Sequence, residues 1–375
     1  MTTDDDARVG LRVQVGADKA TVRYLGPVEG QEGEWAGVEW DDASRGKHDG
    51  CAGGRRYFQT ARGANSGSFV RLGKVDWGVA APEALVRRYQ GLYGPPEDGD
   101  DENWEEMYVQ TAGNRRRGVE LVGMEKVHRR QSDMLRLRAA VLRGCRVASG
   151  GPAGEVARLV PNVEELDLSD NLITSWDVVV QIARQLSRLE VLNLSKNRLS
   201  FPESQEPSHG SLLECLKTLI LKECDNSWGQ VLDLLPHVPS LTSLHICYNS
   251  LSSLSSTTAG YDALRKLELL DLECNNICSW EEVWPLNTLP ALKRLHLGSN
   301  PISNITYPKS HSLDVPPFPA LQCLLLGDCL VGDWASVDSL NRFPSLVETR
   351  LTGNPLIKST HGGGRFEVRL ARLIE

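Results

Sequence analysis

A short leucine pattern recurs through most of the chain, and it limits the possible fold more than any other feature. The pattern L-x-x-L-x-L-x-x-N-x-L appears from Val163 to Ile173 and returns from Leu189 to Leu199. One marker residue, Asn or Cys, closes each copy, and nine markers are separated by 25 to 29 residues: Cys145, Asn171, Asn197, Cys224, Asn249, Asn275, Asn300, Cys329 and Asn354. A repeat of this length cannot bury its apolar face alone, so we expect the copies to fold only as a stack.

The spacing within each copy is typical of leucine-rich repeats, in which every repeat adds one short strand to a curved sheet. We expect the leucines to point into a shared core and the marker side chain to satisfy buried backbone groups in the following turn. Segments 175–189 and 279–292 are predicted to form short helices on the convex side. The positions between the two strand leucines are predicted to line the concave face: Asp167, Asn193, Ile220, His245, Asp271, His296, Leu325 and Arg350.

The region before the repeats has a different composition, which divides the chain into domains. Residues 1–80 are predicted to form a small all-β barrel with glycine-rich turns, with strands over 12–16, 20–26, 35–40 and 68–72. Residues 81–125 are predicted to hold a helix over 82–93 and a solvated acidic linker over 97–106. Residues 126–375 complete a multidomain chain as an α/β leucine-rich-repeat solenoid with a C-terminal cap segment.

Charge is unevenly distributed within the first domain. Six acidic residues and no basic ones lie between Glu29 and Asp42, whereas Arg45 to Lys74 holds seven basic residues and a single acid, Asp49. A positive groove attracts acidic partners. The formal net charge of −8 for the whole chain argues against a general nucleic-acid binder, which would have a basic footprint.

The sequence lacks the patterns of several other protein classes. Its acidic start is unlike a signal peptide, and no apolar run approaches the roughly 18 residues that span a bilayer, so neither secretion nor a membrane partner is expected. Nine cysteines without C-x-x-C spacing favour reduced, mostly buried thiols, with disulfides or zinc as the alternative. Phosphate-loop, H-E-x-x-H and G-x-S-x-G motifs are missing, so we predict a binding protein without catalytic residues, cofactor or metal.

Residues 33–76 carry a motif that resembles the CAP-Gly domain family. The segment from Gly46 to Gly50 (GKHDG) is similar to that family's Gly-Lys-Asn-Asp-Gly signature, and 35–40, the Tyr57–Phe58 pair and 67–71 stand around it in the same order. The resemblance implies binding of acidic protein tails that end in Glu-Glu-Tyr or Glu-Glu-Phe, such as that of α-tubulin. The candidate tail-binding residues are Trp35, Gly46, Lys47, His48, Asp49, Gly50, Phe69, Arg71 and Lys74.

The residue types in this motif suit the capture of a chain terminus. Glycine-rich turns expose backbone N–H groups that can bind a terminal carboxylate. Lys47 and Arg71 can add charge-assisted hydrogen bonds to glutamates or to the carboxylate. Trp35 and Phe69 offer an apolar floor for a terminal aromatic ring. His48 stands where the family commonly has Asn, and as a neutral ring it offers one donor.

A CAP-Gly domain followed by leucine-rich repeats is similar to the architecture of the tubulin-folding cofactor E family. The resemblance implies a cytoplasmic, cytoskeletal protein that binds α-tubulin, its CAP-Gly domain holding the tail and its concave face the globular body. It also implies joint action with tubulin cofactors B, C and D and a small GTPase in assembling and dissociating the α/β heterodimer.

Members of that family usually continue into a ubiquitin-like domain. Residues 365–375 resemble the segment that leads into it, so we expect that domain to be absent here. The sequence leaves two other interpretations open. One is a microtubule-associated CAP-Gly adaptor, and the other is a leucine-rich-repeat signalling scaffold.

Overall fold

The chain forms two compact units, one built from Met1–Val163 with Asn171–Thr174 and the other from Glu164–Asp170 with Ser175–Glu375. The structure is a computed structural model. It describes residues 8–61, 63, 65–90, 134–200, 213–254, 261–307 and 316–357, and the backbone alone of 108–110, 116–118, 358 and 367–369. The predicted acidic linker over 97–106 and most of the predicted cap segment lie outside the described residues.

The first unit contains a small antiparallel sheet in which strands 12–15, 18–27, 34–40 and 67–71 lie side by side in that order. Alternation along these strands places Val13, Val22, Val38 and Trp40 in one buried core. The strands of this unit are β1 Arg12–Val15, β2 Asp18–Pro27, β3 Glu34–Trp40, β4 Cys51–Ala52, β5 Arg55–Arg56, β6 Gly67–Arg71, β7 Val79–Ala80, β8 Tyr108–Gln110, β9 Arg116–Gly118, β10 Ala139–Val141 and β11 Val147–Ser149. The prediction of a small all-β domain is confirmed.

The same unit continues beyond the barrel into the segment around the first repeat marker. Strand β7 pairs in parallel with β11, and Arg146 Nη1 lies 2.7 Å from Asp76 Oδ2. The Asn171 side chain accepts from Val147 N at 2.9 Å and donates to Leu142 O at 2.9 Å. The marker asparagine therefore satisfies buried backbone groups within this unit as expected.

The second unit is a parallel sheet in which each repeat contributes one three-residue strand. The strands are β12 Glu165–Asp167, β13 Val191–Asn193, β14 Thr218–Ile220, β15 Ser243–His245, β16 Leu269–Asp271, β17 Arg294–His296, β18 Cys323–Leu325, β19 Glu348–Arg350 and β20 Glu367–Arg369. Strands β12 to β19 pair in parallel without a register shift, and β20 pairs antiparallel with β19. The predicted leucine-rich-repeat architecture is confirmed.

Buried asparagines connect one repeat to the next. Asn249 Nδ2 donates to Leu221 O at 2.8 Å in the preceding repeat and to Ile246 O at 3.0 Å in its own. Its Oδ1 accepts from the backbone N–H groups of Cys224 and Asn226 at 3.0 and 3.2 Å. Each such side chain pairs backbone groups that would otherwise be buried without partners, and this requirement explains the marker.

Short helices follow several of the strands. The α-helices of both units are α1 Ala81–Gln90, α2 Glu155–Leu159, α3 Trp176–Ala183, α4 Trp228–Leu234, α5 Trp280–Val283, α6 Trp334–Ser339 and α7 Pro355–Lys358. Shorter 3-10 helices cover Ala43–Arg45, Leu72–Lys74, Met134–Arg136, Leu235–His237, Trp284–Thr288 and Leu340–Arg342. The helix predicted over 82–93 is confirmed as far as 90, where the described segment ends. Within the part of the chain that the structure describes, no helix has the length and apolarity needed to cross a bilayer.

Candidate functional site

One face of the small sheet carries three of the predicted tail-binding side chains, Trp35, Phe69 and Arg71. In the pairing of β3 with β6, Trp35 lies opposite Arg71 and Gly37 lies opposite Phe69. Side chains of paired residues share a face, and successive residues alternate between faces. The core takes Ala36, so Trp35, Gly37, Phe69 and Arg71 lie together on the opposite face.

Aromatic rings surround Phe69 on this face. The ring centroid of Phe69 lies 5.0 Å from His48, 5.3 Å from Tyr57, 5.5 Å from Phe58 and 6.2 Å from Tyr24. Phe58 is buried, whereas the other four rings are half-buried. We call the group of His48, Tyr57, Phe69 and Tyr24 the Phe69 pocket, because its rings leave apolar surface accessible for another aromatic group.

Glycines allow the backbone to close tightly around this pocket. A Cβ at Gly37 would lie 2.5 Å from the Phe58 ring, and one at Gly46 would lie 1.8 Å from Asn65 O. Gly50 has a φ of +96°, and a Cβ there would lie 2.1 Å from Phe58 O. At Gly46 and Gly50 the obstructing atoms belong to the backbone, so no side chain fits there without moving it, and these two glycines of the GKHDG motif are required by packing.

The GKHDG turn is hydrogen-bonded to the end of the sheet. The N–H groups of Lys47 and His48 donate to Gly67 O at 2.7 and 3.1 Å, and Gly67 N–H donates to His48 O at 2.8 Å. Gly50 N–H donates to His48 Nδ1 at 3.1 Å. The imidazole thus accepts a backbone hydrogen bond two residues ahead, as an Asn side chain does in an Asx turn.

This hydrogen bond determines which nitrogen of His48 carries the proton. Because Nδ1 accepts from Gly50, the neutral ring must hold its proton on Nε2. Burial lowers the pKa of His48, and Lys47 lowers it further, whereas Asp49 raises it. The ring is therefore neutral near pH 7, with an Nε2–H donor available beside Phe69.

Asp49 supports the turn from within the motif. Its Oδ2 lies 2.7 Å from Arg56 Nη2, and its Oδ1 accepts from Cys51 N–H at 3.2 Å. The hydrogen bond from Arg56 holds the pKa of this carboxyl below its usual value. Asp49 and Arg56 thereby neutralise each other and fix the β4–β5 hairpin.

The predicted cationic residues differ in their surroundings. Lys47 is exposed at the turn. The Arg71 guanidinium lies 4.8 Å from the centre of the Trp35 ring, whose buried Nε1–H has no acceptor among the described residues. Lys74 is exposed in the 3-10 helix Leu72–Lys74, and no contact in the described structure joins it to the Phe69 pocket. Lys47 and Arg71 are therefore better placed than Lys74 to meet an acidic ligand.

Tyr24 is a pocket residue that the sequence pattern did not predict, and Tyr57 was predicted only as part of the motif, without a role in binding. Tyr57 OH accepts from Glu29 N–H at 3.0 Å, and Tyr24 OH donates to Pro27 O at 2.7 Å. The Tyr57–Phe58 pair was itself a signal, because alternation predicts one buried ring and one accessible ring. The position of Tyr24 depends on a register shift in β2 that no local pattern reveals.

The predicted concave residues form one row across the second unit. Cα pairing connects them from strand to strand in the order Asp167, Asn193, Ile220, His245, Asp271, His296, Leu325 and Arg350. Asp271 is buried, Arg350 is exposed and the others are half-buried. We refer to these eight residues as the concave row, and their mixture of apolar, acidic and basic groups is typical of a specific protein-binding surface.

A hydrogen-bonded chain in the concave row has the connectivity of a nucleophilic triad. Ser243 Oγ lies 3.1 Å from His245 Nε2, and His245 Nδ1 lies 3.1 Å from Asp271 Oδ2. A triad also needs free N–H groups to stabilise an oxyanion. The N–H groups of Thr242 and Ser243 instead both donate to Lys217 O at 2.9 Å. The geometry thus positions His245 and Asp271, but these two N–H groups are not available to stabilise an oxyanion in acyl transfer.

Family models match both parts of this architecture. The family model for the CAP-Gly domain matches residues 9–75, and the model for a leucine rich repeat matches residues 239–302. Among solved structures, the chain is similar to the Bik1 CAP-Gly domain with an ETF peptide from Bim1. The two are 36% identical over 18% of this chain and 82% of that one, with a TM-score of 0.17.

Curated relatives match nearly the whole chain. Tubulin-folding cofactor E of Arabidopsis thaliana is 38% identical over 97% of this chain and 68% of its own length. Tubulin-specific chaperone E of Homo sapiens is 36% identical over 98% of this chain and 66% of its own length. The chain therefore spans about two thirds of the length of the curated relatives it matches.

Proposed function

The chain belongs to the tubulin-folding cofactor E family, also named tubulin-specific chaperone E, and on that basis we propose that it is a tubulin-folding cofactor that binds α-tubulin at two places. The Phe69 pocket binds the acidic C-terminal tail, and the concave row binds the globular body. The observation that carries the proposal is the Phe69 pocket itself, in which accessible aromatic rings adjoin an exposed Lys47.

The chemistry of the pocket suits a terminus that combines negative charge with an aromatic ring. A terminal Tyr or Phe ring can pack edge-on against Phe69 and Tyr57, whose own centroids are 5.3 Å apart. The Nε2–H of neutral His48 and the ammonium group of Lys47 can donate to the terminal carboxylate or to the preceding glutamates. A neutral or basic tail would lack these hydrogen bonds, so the pocket should select acidic tails.

Contact at the concave row should raise the overall affinity for a client that is already bound at the Phe69 pocket. When one client is bound at both places, the second binding event becomes intramolecular and is governed by an effective concentration. Two weak contacts can then act as one strong contact, and neither surface needs high affinity alone. A client can also be released stepwise, which suits a folding cofactor.

The wider role follows the family resemblance and is part of the same proposal. We infer that the chain acts in the cytoplasm and at the cytoskeleton, in assembly and dissociation of the α/β-tubulin heterodimer. Its partners there would be tubulin cofactors B, C and D and a small GTPase. The relatives are named as chaperones or cofactors and not as enzymes, which supports a role in binding.

Titration with α-tubulin that has or lacks its last residue tests tail capture. We expect wild type to lose about tenfold in affinity, or about 1.4 kcal/mol, when the terminal aromatic residue is removed. Lys47→Ala should bind both forms more weakly, because one of the two cations beside the pocket, Lys47, is lost while Arg71 remains. Lys266→Ala, which removes an exposed lysine of the solenoid, serves as the matched control and should behave as wild type.

Equal affinity of wild type for both forms of tubulin would refute tail capture. Loss of discrimination in Lys266→Ala would show that general charge, and not the pocket, is responsible. Both results can be read from the same calorimetric titration.

A further inference from the structure

The centre of the concave row contains a cluster of metal-ligating groups that tail binding does not use. A carboxylate oxygen of Asp271, one of Glu273 and a ring nitrogen of His296 all lie within 4.8 Å of one another. Asp271 is buried, and the other two are half-buried. These groups come from two neighbouring repeats and converge on one point of the sheet.

The repeat geometry brings these residues together. Asp271 and His296 are Cα partners on adjacent strands β16 and β17, and neighbouring strands lie about 4.8 Å apart. Glu273 follows two residues after Asp271 and therefore projects to the same side. The next repeat has Gly298 at the matching position, where a Cβ would lie 3.3 Å from Glu273 Oε1. The glycine leaves space for the carboxylate of Glu273.

Charge at this point is incompletely balanced. Asp271 is only 9% exposed, yet it lies close to a second carboxylate. Neither the Glu273 carboxylate nor the His296 ring makes a hydrogen bond with another described side chain or backbone group. A cation at this point would relieve the repulsion and use the unpaired lone pairs.

Neighbouring hydrogen bonds hold Asp271 in position. Its Oδ2 is 3.1 Å from His245 Nδ1, and its Oδ1 accepts from Glu273 N–H at 3.1 Å. A carboxylate has about four lone-pair directions, so both oxygens retain capacity for a metal. Outer hydrogen bonds of this kind orient ligating carboxylates in metal sites.

We propose that Asp271, Glu273 and His296 bind one divalent transition-metal ion, with zinc as the preferred ion. Zinc is commonly held by imidazole nitrogen and carboxylate oxygen, at about 2.0–2.2 Å. With three protein ligands, one coordination position stays open toward the concave surface, where water or an acidic group of a bound protein can occupy it. The site is independent of the Phe69 pocket, so its failure would leave the proposed tail binding unaffected.

Metal titration of the full chain, after treatment with a chelator, tests the site directly. Equilibrium dialysis with zinc should show one saturable site per chain with a dissociation constant below about 10 µM, a binding free energy near −7 kcal/mol. Asp271→Asn and His296→Gln should each weaken binding at least tenfold. His237→Gln changes another half-buried histidine of the solenoid and should leave binding unchanged.

None of the nine cysteines forms a disulfide, so their thiols could also bind metal. A cobalt spectrum distinguishes thiolate ligands from the proposed nitrogen and oxygen ligands. A nitrogen and oxygen ligand set gives a cobalt spectrum without the strong sulfur-to-cobalt charge-transfer band of thiolate sites. Such a spectrum, lost in His296→Gln, would support the proposal. No saturable binding to the unsubstituted chain, a thiolate band, or full binding by both folded variants would each overturn it. Circular dichroism of each variant establishes that it is folded.

Discussion

The Phe69 pocket and the concave row differ in how far nearby backbone atoms limit the size of the residue at each position. In the pocket, Gly46 and Gly50 face backbone oxygens at distances that exclude any Cβ. In the concave row, side chains project from evenly paired strands, and the structural requirement falls on buried asparagines such as Asn249. The shape of the pocket therefore depends on the backbone, whereas the concave row can vary its side chains without altering the strand pairing.

Substitution of Gly50 should have the largest effect on both stability and tail binding. In Gly50→Ala the new Cβ would meet Phe58 O at 2.1 Å, at a φ of +96° that disfavours alanine. Steric overlap and backbone strain together should cost about 4 kcal/mol. Calorimetry with an acidic tail peptide should show affinity reduced at least about a hundredfold.

Gly53→Ala provides the matched control for that experiment. Gly53 also has a positive φ, +56°, but no atom lies within 4 Å of the position of its Cβ. This variant should lose only about 1 kcal/mol of stability and retain the tail peptide. Equal losses in the two variants would mean that close packing of the turn does not determine binding.

Substitution of Asn249 should test whether the buried asparagines carry the structural requirement in the repeats. In Asn249→Ala, Leu221 O and Ile246 O lose a donor, and the N–H groups of Cys224 and Asn226 lose their acceptor. Buried groups left unpaired should lower the free energy of unfolding by about 3 kcal/mol. Urea unfolding measures this loss, while affinity for the tail peptide should stay unchanged.

Cys224→Ala shows how much stability a cysteine marker contributes, in comparison with the asparagine marker Asn249. The Cys224 thiol donates to Leu194 O at 3.3 Å and Lys222 O at 3.4 Å, and thiols are weak donors. We expect a loss of about 1–2 kcal/mol, mostly from the small cavity. A loss as large as that of Asn249→Ala would contradict the view that hydrogen bonding by Asn secures the repeats.

Acidification should have the smallest effect on stability, and His48 should be the residue responsible. Burial lowers the pKa of His48 in the folded chain, so the unfolded chain binds protons first as pH falls below about 6.5. Stability from neutral His48 is thus present above that pH and is lost as pH falls through the folded pKa. Protonation of Nδ1 would also place a donor against Gly50 N–H.

His48→Asn isolates that effect, because the amide oxygen can accept from Gly50 N–H and does not titrate. Urea unfolding of both chains between pH 7.5 and 5 should show wild type losing stability relative to the variant. Parallel pH profiles would exclude His48 as the source of the difference.

Much of the fold was predictable because its signals are local and repeated. Leucine spacing placed Asp167 to Arg350 in one row, and the pairing of eight strands reproduces that row without a shift. The glycine motif likewise identified the turn that lies beside Phe69. These predictions succeeded because strand alternation and repeat period act over short distances.

The remaining features depend on contacts between distant segments. Val22 faces the core, and simple alternation would place Tyr24 there as well, but a register shift between them pairs Tyr24 with Gly37 on the outer face. Leucine spacing predicts that Asp271 and His296 are neighbours, but Glu273 lies outside the predicted row and its approach to them has no sequence signal. Only the folded sheet brings such groups together.

Binding of a short peptide by the full chain tests the central claim most directly. A peptide ending in Glu-Glu-Tyr should bind one site saturably, and amidation of its C-terminus should weaken it about tenfold or more, because the charge-assisted hydrogen bonds to the carboxylate are lost. Absence of measurable heat at millimolar peptide, or equal affinity for the free and amidated forms, would contradict recognition of an acidic chain end by the Phe69 pocket.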